Sequence, residues 1–175
     1  MTAYPVRVPT PDAPPTAVAV GVFSVPAHVV WRYRLDFASL PEYNPDVSGV
    51  ERIRDGEGGG EAGVYGPGAR YTFTLADLRR PGQGQPVELW IVDAVEPTLV
   101  AARMKGASEA YEEFVVQGRD DGGCEATLAL WVTLPDGLDA DVRAAAVAGS
   151  LEQIRKEVRI MKEVLESRAT TRPPY

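Results

Sequence analysis

Apolar side chains recur along this chain at two periods, and the change from one to the other separates a mainly extended body from a helical end. Thr16 to Val25 is a run of small and β-branched residues that predicts a first strand, ended by Pro26. Proline suits the first turn of a helix, with Ser24 as a candidate cap. Ala27 to Asp36 then places Val30, Trp31, Arg34 and Leu35 at helical spacing. A second short turn is predicted through Ser39, Leu40, Pro41, Glu42 and Tyr43, closed by Asn44 and Pro45. Strand spacing returns in Val47 to Arg54, anchored by Val50 and Ile53. It is clearest in Arg70 to Leu78, where Tyr71, Phe73 and Leu75 alternate with Thr72 and Thr74. The cluster from Pro81 to Pro86 predicts a turn. Val87 to Val95, Leu99 to Lys105 and Glu109 to Gln117 follow as extended segments, and their short links favour antiparallel neighbours. A last strand, Cys124 to Leu134, sets Leu128, Leu130, Val132 and Leu134 against Thr127, Ala129, Trp131 and Thr133 before Pro135-Asp136-Gly137 stops it.

From Asp139 to Ser167 only Gly149 interrupts helix-forming sequence, and Val147, Leu151, Ile154, Val158, Met161 and Leu165 recur at three- and four-residue steps. One long amphipathic helix is predicted. Its first half carries Ala144, Ala145, Ala146, Ala148 and Gly149, which either leave space for a cavity or allow close contact between helix and sheet. The pattern predicts a single α+β domain over residues 16–167, with a proline-rich, extended or disordered arm at 1–15 and a frayed polar tail at 168–175.

Composition narrows the function classes. With 175 residues, 45% hydrophobic and 25% charged, the chain has the make-up of one folded soluble domain. A net charge of −7 opposes binding to nucleic acid or anionic lipid unless a local basic patch exists. The densest cationic clusters are Arg79-Arg80 and Arg155-Lys156-Arg159, and the latter is interleaved with Glu152 and Glu157 as on a solvated helix face. No nucleic acid partner is therefore expected. The longest apolar run, Ala17 to Val25, is too short to span a bilayer, and Asp12 and prolines precede it where a secretory leader would be basic. A cytoplasmic protein without integral membrane association is expected, its oligomeric state open.

Motifs for covalent or metal chemistry are sparse. The single cysteine, Cys124, lies in a strand pattern and reads as a buried, inert thiol without a disulfide partner. The single histidine, His28, falls in the first turn of the first helix, where a side chain is usually solvated. One His and one Cys cannot supply a zinc site, so no metal is expected. Gly58-Gly59-Gly60-Glu61-Ala62-Gly63 matches a dinucleotide fingerprint in form. Pro67 and Gly68 stand where the helix should begin, however, and Asp55, Glu57 and Glu61 would repel a pyrophosphate. It reads as a mobile loop, and no cofactor is expected.

Several stretches of local sequence point to a family. Pro26-Ala27-His28-Val29-Val30-Trp31, followed by Asp36-Phe37-Ala38-Ser39-Leu40-Pro41-Glu42-Tyr43-Asn44-Pro45, resembles the first-helix signature of the START-like SRPBCC superfamily. Gly68-Ala69-Arg70-Tyr71-Thr72-Phe73 and the stretch from Val92 to Pro97 are similar to its third strand and a later strand-end turn. The resemblance covers about residues 16–167. It implies the helix-grip fold of pollen-allergen-like and polyketide cyclase-like proteins: a curved antiparallel sheet of six to seven strands wrapped around a long C-terminal helix, with two short helices after the first strand.

It also implies an internal pocket for a small hydrophobic molecule such as a lipid or polyketide, bound or transported. The lining expected on that basis is Trp31, Leu40 and Tyr43 from the first helices, Tyr71, Phe73, Trp90, Met104, Phe114, Leu128 and Leu130 from the strands, and Ala146 and Gly149 from the last helix. Strand parity around Trp90 and Phe114 stays open, because both faces there are apolar. The rival expectation is a cyclase, aromatase or dehydratase acting in the same cavity. For it Arg70, Arg103, Glu88, Glu113, Tyr43 and Tyr71 are the polar candidates, and no arginine matches the one that cyclases present to the cavity. A third expectation is a protein-interaction module, recognised by a large exposed apolar patch.

Overall fold

In the computed structural model, which describes residues 12–53, 66–77 and 82–171, the alternating segments pair into one antiparallel sheet. The strands are β1 (Ala17–Phe23), β2 (Val47–Ile53), β3 (Arg70–Ala76), β4 (Gly84–Val95), β5 (Leu99–Lys105), β6 (Glu109–Gly118) and β7 (Cys124–Val132). They lie in the order β1-β7-β6-β5-β4-β3-β2, so the first two strands form opposite edges. Between them run α1 (Ala27–Leu35), a 3-10 turn (Phe37–Ser39) and α2 (Leu40–Tyr43), and the chain ends in α3 (Ala140–Thr170). Curved around that terminal helix, the sheet has the helix-grip arrangement expected from the sequence.

Register carries one continuous apolar face across the sheet. Ala19 lies opposite Leu128, Leu128 opposite Phe114 and Phe114 opposite Val100. Farther along, Leu89 lies opposite both Met104 and Tyr71. This face holds the core with Val30, Leu35, Ile154, Val158 and Met161 from the helices. Burial of such side chains contributes roughly 1.5–3 kcal/mol each.

Small residues decide where α3 sits. It packs chiefly on β1 and on α2, and the first three inward positions of β1, ahead of Phe23, are Ala17, Ala19 and Gly21. At Gly21 a Cβ would fall 2.4 Å from Val158 Cγ1, so only glycine lets the helix approach this closely. Because α3 rests on one edge, the β3–β6 part of the sheet bends over it without touching it along its whole length.

Local details depart from the sequence reading in three places. Ser24 does not cap α1: its N–H donates to Glu166 Oε1 at 2.8 Å, and Pro26 occupies the cap position with no side-chain hydrogen bond. The turn expected at Pro81–Pro86 is shorter, since β4 already begins at Gly84. Pro86 is tolerated because it lies beyond the last β5 partner, Lys105 opposite Glu88, and so leaves no β5 carbonyl unpaired. The last helix continues through Thr170, where Arg168 bonds Glu42 and stacks 5.3 Å from the Tyr33 ring. Of the arm, residues 1–11 lie outside the described residues, whereas the Ala13 carbonyl accepts the Trp131 indole N–H at 2.8 Å. The glycine-rich loop at 58–63, Arg79-Arg80 and residues 172–175 are also outside them.

Candidate functional site

Between α2, the middle of α3 and the β3–β7 face lies a cavity of about 220 Å³. Its walls are apolar: Leu40, Val47, Phe73, Leu75, Val87, Leu89, Met104, Ala110, Leu130, Val132 and Ile154. At its exposed end stand Gln85 and the β5–β6 turn Gly106, Ala107 and Ser108. At its buried end stand Arg34, Asn44, Glu112 and Glu157.

Each of these four arrives from a different element. Arg34 shares the inner face of α1 with Val30 and Trp31, one turn away, and is 1% exposed. Glu112 has inward parity on β6, between Ala102 of β5 and Leu130 of β7 in register. Glu157 falls within the apolar stripe of α3, three residues after Ile154 and four before Met161. Asn44 follows α2, and its Oδ1 accepts the Asp46 N–H at 3.1 Å.

They form one hydrogen-bonded cluster. Arg34 Nη2 donates to Glu112 Oε1 at 2.5 Å and Nη1 to Glu157 Oε2 at 3.4 Å, while Asn44 Nδ2 donates to Glu157 Oε1 at 2.7 Å. The Arg34 guanidinium carbon lies 5.2 Å from the Phe37 ring centroid, 5.4 Å from that of Tyr43 and 5.5 Å from that of Phe114. Rings at this range favour a cation over their faces. Burial by itself would lower the Arg34 pKa, but Glu112 and its other neighbours overcome that and keep the guanidinium charged. Burial also pushes the Glu157 carboxyl up to about 7, against the pull of Arg34. The Tyr43 phenol is raised as well, again by burial, with Arg34 opposing.

Of the lining expected from the sequence, Leu40, Phe73, Met104 and Leu130 face the cavity. Trp31 instead ties α1 to the sheet, its indole N–H donating to the Leu99 carbonyl at 2.8 Å. Tyr43 and Phe114 stand behind the lining against Arg34, Tyr71 packs 5.8 Å from Phe37, and Leu128 is in the core. The open parity resolves oppositely for the two aromatic residues. Phe114 points inward, whereas Trp90 lies on the outer face, in register with Arg70 and Arg103, because its neighbours Leu89 and Ile91 are the inward pair. Ala146 and Gly149 are outside the cavity, since the first turns of α3 are largely exposed. The helix reaches the cavity only with Ser150, Gln153, Ile154 and Glu157.

Of the polar candidates named from sequence, Tyr43 is inward against Arg34 and Tyr71 is in the core, whereas Arg70, Glu88, Arg103 and Glu113 lie on the outer face. Arg70 pairs with Glu88 on the outer face, and the Tyr111 hydroxyl donates to Glu113 at 2.8 Å on that same face. Arg34, Glu112 and Glu157 take their place, so an arginine does face the cavity. Glu157, grouped by sequence with the solvated charges of α3, is 7% exposed. Its position within the apolar stripe was the available signal. Elsewhere His28 is exposed, and burial pushes the buried Cys124 thiol up to about 11, which keeps it protonated. Among the described residues no three His, Cys, Asp or Glu side chains gather to hold a metal ion. Nor is any described helix long and apolar enough to cross a membrane.

Sheet, terminal helix and enclosed cavity define a protein of the helix-grip class. The chain belongs to the family described as polyketide cyclase / dehydrase and lipid transport, which it matches over residues 15–166. No curated protein matches it. Among solved structures it is similar to a START superfamily protein from Mycobacterium smegmatis, with a TM-score of 0.65 and 14% identity, covering 85% of this chain and 97% of that one. It is also similar to TTHA0849 from Thermus thermophilus, with a TM-score of 0.64 and 16% identity over 86% and 97% of the two chains. A protein of unknown function from Staphylococcus aureus, SA2116, superposes with a TM-score of 0.67 at 10% identity, covering 89% and 95%. At these identities the likeness concerns the fold.

Proposed function

We propose that the protein binds a small, mainly apolar molecule in the cavity, with Leu40, Phe73, Met104 and Leu130 among its contacts. The observation that carries this reading is a cavity of about 220 Å³ with apolar walls and a few polar groups converging at one end, the usual composition of a small-molecule site. An apolar cavity of roughly 150 Å³ holds a benzene ring, and sites for drug-sized ligands start at about 300 Å³. The volume therefore favours one ring, a chain of about eight carbons, or one end of a longer lipid or polyketide. Calorimetric titration with 1-octanol tests it. Saturable one-site binding is expected, and absence of binding up to the solubility limit would overturn it.

One observation favours a second reading, acid–base chemistry on a polyketide-like carbonyl compound. Glu112 and Glu157 each lie within hydrogen-bonding distance of Arg34 at the cavity floor, and a carboxyl titrating near neutrality suits a general base. On this reading ionised Glu157 takes a proton from the carbon between two carbonyls and becomes neutral, and a second N–H of an Arg34 terminal nitrogen donates to the enolate oxygen, whose charge replaces the one Glu157 gave up. Proton-to-deuteron exchange of 2,4-octanedione, followed by NMR, should accelerate with the wild-type protein and not with Glu157→Gln. Equal rates would remove the catalytic reading and leave binding intact.

A further inference from the structure

The polar end of the cavity carries one cation against two carboxylates, and their hydrogen bonds show which ligand charge it can accept. Arg34 places one N–H of Nη1 on Glu157 and one of Nη2 on Glu112, and its Nε is buried without a partner among the described residues. A ligand carboxylate or phosphate brought to Arg34 would lie beside the Glu112 and Glu157 oxygens already bound there. Asn44 is equally committed, donating to Glu157 and accepting from Asp46. Glu112 differs. It lines the cavity, is 6% exposed and spends Oε1 on Arg34, while no hydrogen bond among the described residues takes Oε2. A carboxylate oxygen at a cavity wall with no donor from the described residues can accept a hydrogen bond from a ligand.

We propose that the cavity selects an amphipathic primary amine, its ammonium group donating to Glu112 Oε2 at the floor and its apolar body lying along Leu75, Val87, Met104 and Val132 toward the exposed end. This rests on the reading of the cavity as a binding site and names the head group that site takes. With Glu112 and Glu157 ionised the floor holds a net charge of −1, which a single ammonium neutralises. A charge-assisted hydrogen bond of this kind corresponds to roughly tenfold to hundredfold in affinity.

The test compares octylamine, 1-octanol and octanoate at pH 8 by calorimetry, on the full chain and on Glu112→Gln and Glu157→Gln. Wild-type protein is expected to bind octylamine at least tenfold tighter than 1-octanol, with octanoate weakest. Either substitution should cut the preference for octylamine over 1-octanol to about threefold or less. Should one variant fail to give a cooperative melt, the other still decides the matter. Equal affinity for amine and alcohol, or tightest binding of octanoate, overturns the proposed selectivity and leaves cavity binding standing. Absence of binding by all three overturns both.

Discussion

Glu157 is where the energetics of single residues show most directly. An ordinary glutamate titrates at 4.5, and in the folded protein burial pushes this one up to about 7. The folded state thus holds the proton more tightly than the unfolded chain does. Glu157 contributes most stability below the unfolded titration and loses it as pH rises from 4.5 to about 7, a change on the order of 3 kcal/mol. Glu157→Gln keeps the shape and still accepts the Asn44 hydrogen bond, but cannot ionise. Relative to wild type, its unfolding free energy should rise across that window and level off above it. Urea unfolding at pH 4.5, 6 and 8 checks this, and parallel pH dependences for the two proteins would contradict it. The same residue shows what local sequence conceals. Arg155, Lys156, Arg159 and Glu152 around it do face solvent or its border, as their spacing suggests, and only the helical phase shared with Ile154 and Met161 marks Glu157 as inward.

Among elements, the contact between β1 and α3 sets the cavity. Three of the four inward positions of β1 are alanine or glycine, so the helix settles against that edge and leaves the opposite part of the sheet to enclose space. Gly21→Val should therefore cost about 1–3 kcal/mol through overpacking against Val158. Adding Val158→Ala should recover part of the loss, because the two positions touch. Thermal melts of the single and double variants measure the coupling, and simple additivity would show that the contact is not tight. A second glycine serves the sheet: Gly49, at φ 63°, lies where β2 shifts register against β3 between Ser48 and Glu51, a left-handed position that suits a bulge. The alanine-rich start of α3, expected from sequence either to spare room for a cavity or to press on the sheet, does neither and lies largely exposed.

For the molecule as a whole, the working feature is an apolar-walled space closed at one end by charge and open at the other near Gln85 and the β5–β6 turn. Ala110 stands in the lining, in register with Met104 and Val132. Ala110→Phe should fill part of the space and weaken 1-octanol binding by about tenfold, with little change in the unfolding transition. Calorimetry beside a thermal melt separates the two effects, and unchanged affinity would locate the ligand elsewhere. Periodicity in the sequence settled the order of strands and helices, the antiparallel pairing and most of the core, because an element's repeat dictates which of its faces must leave water. It does not dictate what that face will meet. Arg34 and Glu157 are 123 residues apart, and their pairing with Glu112, the size of the cavity and the side of β4 on which Trp90 lies were decided only by tertiary packing. Burial of a charge depends on the partner that packing delivers, and no local pattern contains that partner.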